Sequence, residues 1–441
     1  MRTWKQAITV LLASSLVLLS ACGTNGSGGA APNSAGENNG SESSNGEKVT
    51  LVFQHVEVDA STPRYNVYRK LTDDFMAKYP NIEIEWDAVN NDQQKLKLKT
   101  QAAAGEMPDI TIVGTQAVLK PYVDAGVLAP LNDIQPEFKD IYPDGLLQNF
   151  SVDNKLYALP LLNNIAVIFY NKKIFADNGV QPPKTYEELV DVSKKLKANG
   201  VTPIAIGEKD SWTGSMLFGN ILLRLNGSGY LKDAMEGNKK FTDASFVQAI
   251  DKLQELVQAG AFQDGAASID NNTAKSLFKT NKAAMIHMGT WATGEFSQAL
   301  NDDLGVVNFP TIEGKGNLDE FIVMPGNGLA LAQNGKHLNE AKEFVKYFVT
   351  NYASVSLEMK NAVGIAMKVT GDLKAAGYNN TQIEVNELFK SVRGGDMTFD
   401  GTLDPATAQA HLSVLQRVFV QKVDSMDIAK AHQDAFESNN K

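Results

Sequence analysis

Lys48-Val49-Thr50-Leu51-Val52-Phe53-Gln54 is a β-rich run that reads as a buried strand, and the residues after it decide the fold. Val67, Leu71, Phe75 and Tyr79 recur at intervals of four, the spacing of a helix face, and Pro80-Asn81 stops them. Ile82, Ile84 and Trp86 then alternate with Glu83 and Glu85, which predicts a strand with one wet face and a core role for Trp86. An amphipathic helix ends at Gly105, Glu106-Met107-Pro108 turns, and Ile110-Thr111-Ile112-Val113 is a third strand. Strand, helix, strand, helix, strand is the order of a parallel sheet covered by helices, an α/β fold. Pro108-Asp109 reads as structural, with Asp109 capping backbone.

The alternation recurs. Tyr157 to Tyr170 is an extended apolar segment ending in Ile168-Phe169-Tyr170-Asn171. Thr185 and Glu188 form a capping box, Leu189, Val192 and Leu196 a buried stripe, and Gly200 a stop. Asp210-Ser211-Trp212-Thr213-Gly214 reads as a polar loop. Residues 243–259, 273–281 and 339–350 read as helices and 404–436 as all-helical. Ile204-Ala205-Ile206 and Ala284-Met285-Ile286-His287-Met288 read as strands, 321–331 as extended, and no repeat is present.

Upstream, Arg2 and Lys5 precede an uncharged apolar run over 7–19, too short to cross a bilayer and of the size of a secretory signal core. Leu19-Ser20-Ala21-Cys22 closes it, and Cys22 is the only cysteine, so no disulfide framework exists. Of the 25 residues over 23–47, 17 are Gly, Ser or Asn. A segment so poor in large apolar side chains is expected to be a disordered tether spanning on the order of 25–30 Å. The chain of 441 residues exceeds what one core supports, so two lobes are expected. Its net charge of −10 argues against nucleic acid as a partner and gives no reason for contact with anionic lipid.

Six motifs in order resemble those of the family 1 extracellular solute-binding proteins, the relatives of maltose-binding protein. They are Phe75-Met76-Ala77-Lys78-Tyr79-Pro80-Asn81-Ile82, Ala103-Ala104-Gly105-Glu106-Met107-Pro108-Asp109-Ile110, and Lys155-Leu156-Tyr157-Ala158-Leu159-Pro160. Tyr170-Asn171-Lys172-Lys173-Ile174-Phe175, Pro183-Lys184-Thr185-Tyr186-Glu187-Glu188-Leu189, and Lys282-Ala283-Ala284-Met285 with Gly289-Thr290-Trp291 complete the set. The resemblance implies a class II periplasmic-binding-protein-like fold. Two lobes, each a central, mainly parallel sheet flanked by helices, would be joined by a multi-segment hinge. Lobe 1 would hold 48–162 and about 322–363, and lobe 2 would hold 163–321 and 364–441. The segment after Gly364 lacks the proline-rich lead-in of many relatives, which leaves the third crossover unplaced. The resemblance also implies a monomer without cofactor that captures carbohydrate between its lobes and delivers it to the permease subunits of an ABC importer. Leu19-Ser20-Ala21-Cys22 resembles a bacterial lipobox, which implies a signal peptide over 1–21 and lipid on Cys22. That lipid would be the chain's only tie to the membrane, on its extracytoplasmic face. The competing reading is an ordinary signal peptide with an incidental cysteine.

Sugar capture asks for flat apolar faces and planar polar groups. Trp291 follows a buried strand and a glycine, and Trp212 lies in the polar 210–214 segment; a core role is the alternative for each. His55 and Glu57 follow the first strand, and Thr115 and Gln116 the third, where open α/β sheets gather ligands; a solvated loop is the alternative. Asn163 and Asn164 interrupt an apolar run after Pro160, and two amides there are costly if unsatisfied. Asn327, between Gly326 and Gly328, and Asp400, before Gly401, complete the candidates, with plain turns as the competing reading.

Enzyme signatures are weak. Glu295 stands where a P-loop following Gly289 and Gly294 requires lysine, the five histidines lack metal-ligand spacing, and no Gly-x-Ser-x-Gly elbow occurs. Glu57 with Asp59, and Glu83 with Glu85, read as surface charge. A tethered carbohydrate-active hydrolase, or a lipoprotein for a non-sugar solute, remains the alternative.

Overall fold

The computed structural model describes residues 48–440; the expected signal segment, Cys22 and the tether lie outside the described residues. The first sheet runs in the order Ile82–Ala88, Val49–His55, Ile110–Val113, Gly328–Leu331, Leu159–Pro160. Val49–His55 pairs in parallel with both neighbours, setting Leu51 opposite Ile84 and Phe53 opposite Ile110. The helix Pro63–Lys78 starts on Thr62, whose hydroxyl accepts from Tyr65 N, and buries the predicted Val67, Leu71 and Phe75. Phe75 meets Phe344, on the helix Leu338–Glu358, edge-on at 5.1 Å between ring centroids. Asp109 Oδ2 accepts from Val52 N at 2.9 Å, as its reading as a backbone cap expects.

The second sheet runs Gly394–Met397, Glu320–Met324, Asn164–Asn171, Ala283–Gly289, Thr202–Ala205, and Leu304–Val307 also pairs with Asn164–Asn171. Both sheets are mixed, which corrects the expectation of mainly parallel pairing. Gly328–Leu331 is antiparallel to both of its neighbours, and Asn164–Asn171 to all of its own. Both strands follow a passage between sheets, and a strand that re-enters from the far side runs against the residents.

Three passages lie side by side. Leu161 N donates to Asn327 O at 2.9 Å, Asn163 N to Gly364 O at 3.0 Å, and Ala366 N to Leu161 O at 3.0 Å. The expected return to the first lobe at 322 falls inside Glu320–Met324, which pairs in the second sheet through Met324; the chain changes sheets over 325–327. Gly326, at φ +67°, must lack a side chain because its Cβ would stand 2.6 Å from Leu162 Cβ on the adjacent passage. After Gly364 the chain regains the second lobe by Thr381, whose hydroxyl donates to Leu304 O at 2.6 Å.

Several elements depart from the sequence reading, of which four follow. Residue 212 opens a helix, Trp212–Asn226, where a polar loop was expected. That helix is buried on every side through its middle, so it carries no polar stripe to betray its period. The helix Asn380–Ser391 and the strand Gly394–Met397 were not anticipated. Residues 404–436 divide into Pro405–Gln416 and Ser425–Asn439, with 420–424 non-helical. Among the described residues no helix is long and apolar enough to cross a membrane.

Candidate ligand-binding cleft

Between the sheets lies a cleft of about 740 Å³, lined by residues of both lobes. Strand ends and helix beginnings build it, because a helix that follows a strand starts where the strand stops. The loop after Val49–His55, the loop after Ile110–Val113 and the first turn of the helix Asn91–Ala104 form one wall. The starts of the helices Trp212–Asn226 and Asn271–Lys279, together with Trp291 and 397–401, form the other.

Seven of the ten candidates line this cleft: Glu57, Thr115, Asn164, Trp212, Trp291, Asn327 and Asp400. Trp212 and Trp291 lie with ring centroids 6.0 Å apart and planes tilted by 55°. The Trp291 ring folds back over the strand end, and a Cβ on Gly289 would meet it at 1.9 Å. Asn164 is fully buried; its Oδ1 accepts from Thr290 Oγ1 at 3.3 Å, while its Nδ2 has no protein partner. The Trp212 indole N–H is likewise unpartnered. Thr115 Oγ1 reaches Gly401 O across the cleft at 3.4 Å.

Glu57 is buried rather than surface charge: its Oε1 grips Arg64 Nε at 2.6 Å. Opposite, Glu295 pairs with Lys275 at 3.0 Å and Lys279 at 2.5 Å. Burial alone would push the Glu295 carboxyl up, but the two lysines outweigh it and hold it below the usual range.

Two candidates fall outside the cleft. His55 is fully buried among Phe53, Tyr68 and Trp86, its ring 4.3 Å from that of Trp86, because it continues the inward face of Leu51 and Phe53. Burial and then Arg69 lower it to about 3, so it stays neutral. Trp86 belongs to this core margin, as expected, under the Arg69 guanidinium at 3.9 Å. Asn163 lies in the hinge, where its backbone N–H donates to Gly364 O, and does not line the cleft. Gln116 opens the helix Gln116–Asp124, and its side chain is not among those described.

Sequence reasoning missed Asn90-Asn91-Asp92, Lys209-Asp210 and Asp270-Asn271-Asn272, all in the cleft wall. The signal was there: Asn90 and Asp270 are helix caps, accepting from Gln93 N and Thr273 N, and the first follows a strand directly.

One buried array has the connectivity of a hydroxyl–imidazole relay. Ser215 Oγ lies 2.7 Å from His411 Nε2, and His411 Nδ1 lies 3.0 Å from His432 Nδ1. None of the three lines the cleft, and His411 stacks on Phe399 with centroids 4.0 Å apart. The array pins the C-terminal helices to Trp212–Asn226.

Two lobes, three adjoining passages and a polar cleft with aromatic faces define a hinged α/β binding protein. Residues 59–353, well over half of the chain, match the family of bacterial extracellular solute-binding proteins, and the chain belongs to that family. The multiple sugar-binding protein of Streptococcus mutans is 28% identical over 69% of this chain and 72% of its own. An uncharacterized ABC transporter extracellular-binding protein of Pyrococcus horikoshii is 27% identical over 81% and 80%. A structure from work on xylan utilization by the thermophilic bacterium Caldanaerobius polysaccharolyticus superposes with a TM-score of 0.82 at 28% identity, covering 88% of this chain and 99% of that one. A chitin oligosaccharide binding protein does so at 0.80 and 26%, covering 90% and 100%. Three of these four, all but the xylan-utilization structure, are named for binding, and the family is extracytoplasmic.

Proposed function

We propose that this protein is a lipid-anchored receptor that captures a saccharide between its lobes and delivers it to the permease subunits of an ABC importer. The observation that carries the reading is the pair of tryptophan faces beside an unpartnered, fully buried amide donor, Asn164 Nδ2. Aromatic faces suit C–H-rich pyranose surfaces, and a buried donor without an acceptor is costly until a ligand oxygen arrives. The names of the relatives support a saccharide over another solute. Trp212, Trp291, Asn164, Thr115, Asn327, Asp400 and Glu57 are the proposed contacts, Glu57 through Arg64. The proposed lobes are 48–162 with 328–366, and 163–324 with the C-terminal helices. Cys22 carries the lipid and 23–47 the tether. The protein acts as a monomer and turns nothing over.

Titrating the body from Lys48 onward with xylo-, chito-, galacto- and malto-oligosaccharides tests this. A binder quenches its own tryptophan fluorescence and leaves the sugar intact. A ligand at 100 times Kd adds about 2.7 kcal/mol of stability, visible as a raised Tm. Turnover that survives repurification favours the hydrolase, and silence across the panel removes the saccharide.

A further inference from the structure

We infer that Thr290 and Gly364 are positioning residues that act through Asn164, and that they set where its amide donor stands to meet a saccharide oxygen. The inference rests on the saccharide reading above and adds to it two residues that govern affinity without touching the sugar.

Asn164 opens the strand Asn164–Asn171 at the end of the first passage between the sheets, and it lines the cleft while fully buried. The third passage runs against it. Asn163 N donates to Gly364 O at 3.0 Å, Ala366 N donates to Leu161 O at 3.0 Å, and Leu162 pairs antiparallel with Ile365. That register sets Gly364 against the amide. A Cβ on Gly364 would stand 2.6 Å from Asn164 Oδ1, and the backbone there has φ +82°, so the position asks for glycine twice over. A slip of one residue would bring Val363 or Ile365 to the same place. Gly326, on the second passage, does a different job, since its Cβ would meet only Leu162.

Thr290, between the strand end and Trp291, decides which way the amide faces. Its Oγ1 accepts from Ile165 N at 3.2 Å, so its own proton is free for Asn164 Oδ1 at 3.3 Å. A backbone N–H can only donate, and a hydroxyl has a single proton to give. With the amide turned about, that proton would face an NH2 group and find no acceptor among the described residues. The oxygen therefore lies toward Thr290, and the NH2 group is the end left over, with Nδ2 unpartnered in the protein. A buried donor in that state is costly, and a ligand oxygen in the cleft removes the cost.

The amide is one rigid plane, so Oδ1 and Nδ2 move together. Thr290 draws the oxygen in and Gly364 leaves it just enough room. A side chain at 364 would push the oxygen away and swing the donor off the ligand, although residue 364 itself stands behind the amide.

Double-mutant cycles on affinity test this, with xylotriose, N-acetylchitotriose, galactotriose and maltotriose as probes and the apo Tm of each variant as the check on folding. Gly364→Ala is expected to weaken binding about 5- to 150-fold in the native background. It should have no further effect where Asn164 is already alanine, because truncation at 164 leaves room for the new Cβ. The strain of alanine at a positive φ is common to both backgrounds and cancels from the cycle. Thr290→Val should likewise lose affinity only while Asn164 is present, whereas Thr290→Ser, which keeps the hydroxyl, should bind as wild type does. The Thr290 cycle carries the test if Gly364→Ala does not fold. Gly364→Ala or Thr290→Val binding as tightly as wild type, or costing the same factor in both backgrounds, overturns the inference while leaving the receptor reading intact. Failure of every saccharide to bind wild type removes the reading and the inference together.

Discussion

At the scale of the residue, Trp291 and Asn164 answer different questions. Trp291 lines the cleft and touches the Trp212 face, so Trp291→Ala should weaken saccharide binding by about 1–3 kcal/mol while the apo Tm falls only modestly. A collapse of the apo Tm with unchanged affinity would place the ring in the core instead. Gly289→Ala provides an independent check, since the new Cβ would displace the Trp291 ring without removing it. Asn164→Leu keeps the branched shape, removes the orphan donor and leaves the Thr290 hydroxyl proton without its acceptor, while Thr290 Oγ1 still accepts from Ile165 N. Titration of that variant should show a further loss of about 1–3 kcal/mol in affinity.

At the scale of the element, the helix Trp212–Asn226 carries the cleft face and depends on Glu208 at its head. Glu208 Oε2 accepts from Gly214 N at 2.6 Å and Thr213 Oγ1 at 2.9 Å, while Oε1 finds no partner. Burial, partly offset by those bonds, pushes the carboxyl up to about 8. A group with a raised folded value stabilises fully below its unfolded pKa and loses that contribution as pH rises through about 8. Glu208→Gln should therefore have the higher Tm at alkaline pH, a difference that narrows toward about pH 5 in thermal scans. This helix also shows where sequence was legible. Pro63–Lys78 and Tyr186–Ala198 could be read because one face is wet and their caps are conventional. Trp212–Asn226 could not, because it is surrounded, and because Gly214 and Gly219 look like breakers. Gly214 is small to admit Glu208 and Phe419, and Gly219 to admit Ile322. The cleft was legible at Thr115, which follows a clear strand, and was overlooked at Asn90, which follows another. His55 failed the same rule because the strand runs one residue further than its apolar pattern shows.

At the scale of the whole molecule, four buried histidines set an acid limit. His55, His287 and His432 are lowered to about 3 and His411 well below its usual value, burial being the first cause in each. Neutral rings are required by the fold, so stability is complete above the unfolded value of about 6.5 and falls at up to about 1.4 kcal/mol per pH unit for each ring below it. Tm should drop steeply between about pH 6 and pH 4. His287→Phe, which removes a ring with Nδ1 unpartnered, should soften the slope; an unaltered slope would refute the assignment. The anchor is tested separately: Cys22→Ala should release the protein from the membrane fraction, since the chain has no other thiol.

The three adjoining passages also govern the order in which the chain can be assembled. The first sheet holds Gly328–Leu331 between Ile110–Val113 and Leu159–Pro160, and its covering helix ends only at Glu358. Neither lobe is a continuous stretch, so the amino-terminal half cannot complete its core as it leaves the ribosome. Pairings this remote in sequence are slow to form, and the emerging chain remains extended and exposed until most of it has been synthesised. A chain destined for export must be threaded unfolded, and this layout delays folding without help from any bound factor. Chains truncated after residue 320 and released from the ribosome should be cut readily by protease throughout 48–160, whereas chains truncated after residue 370 and released should protect that region.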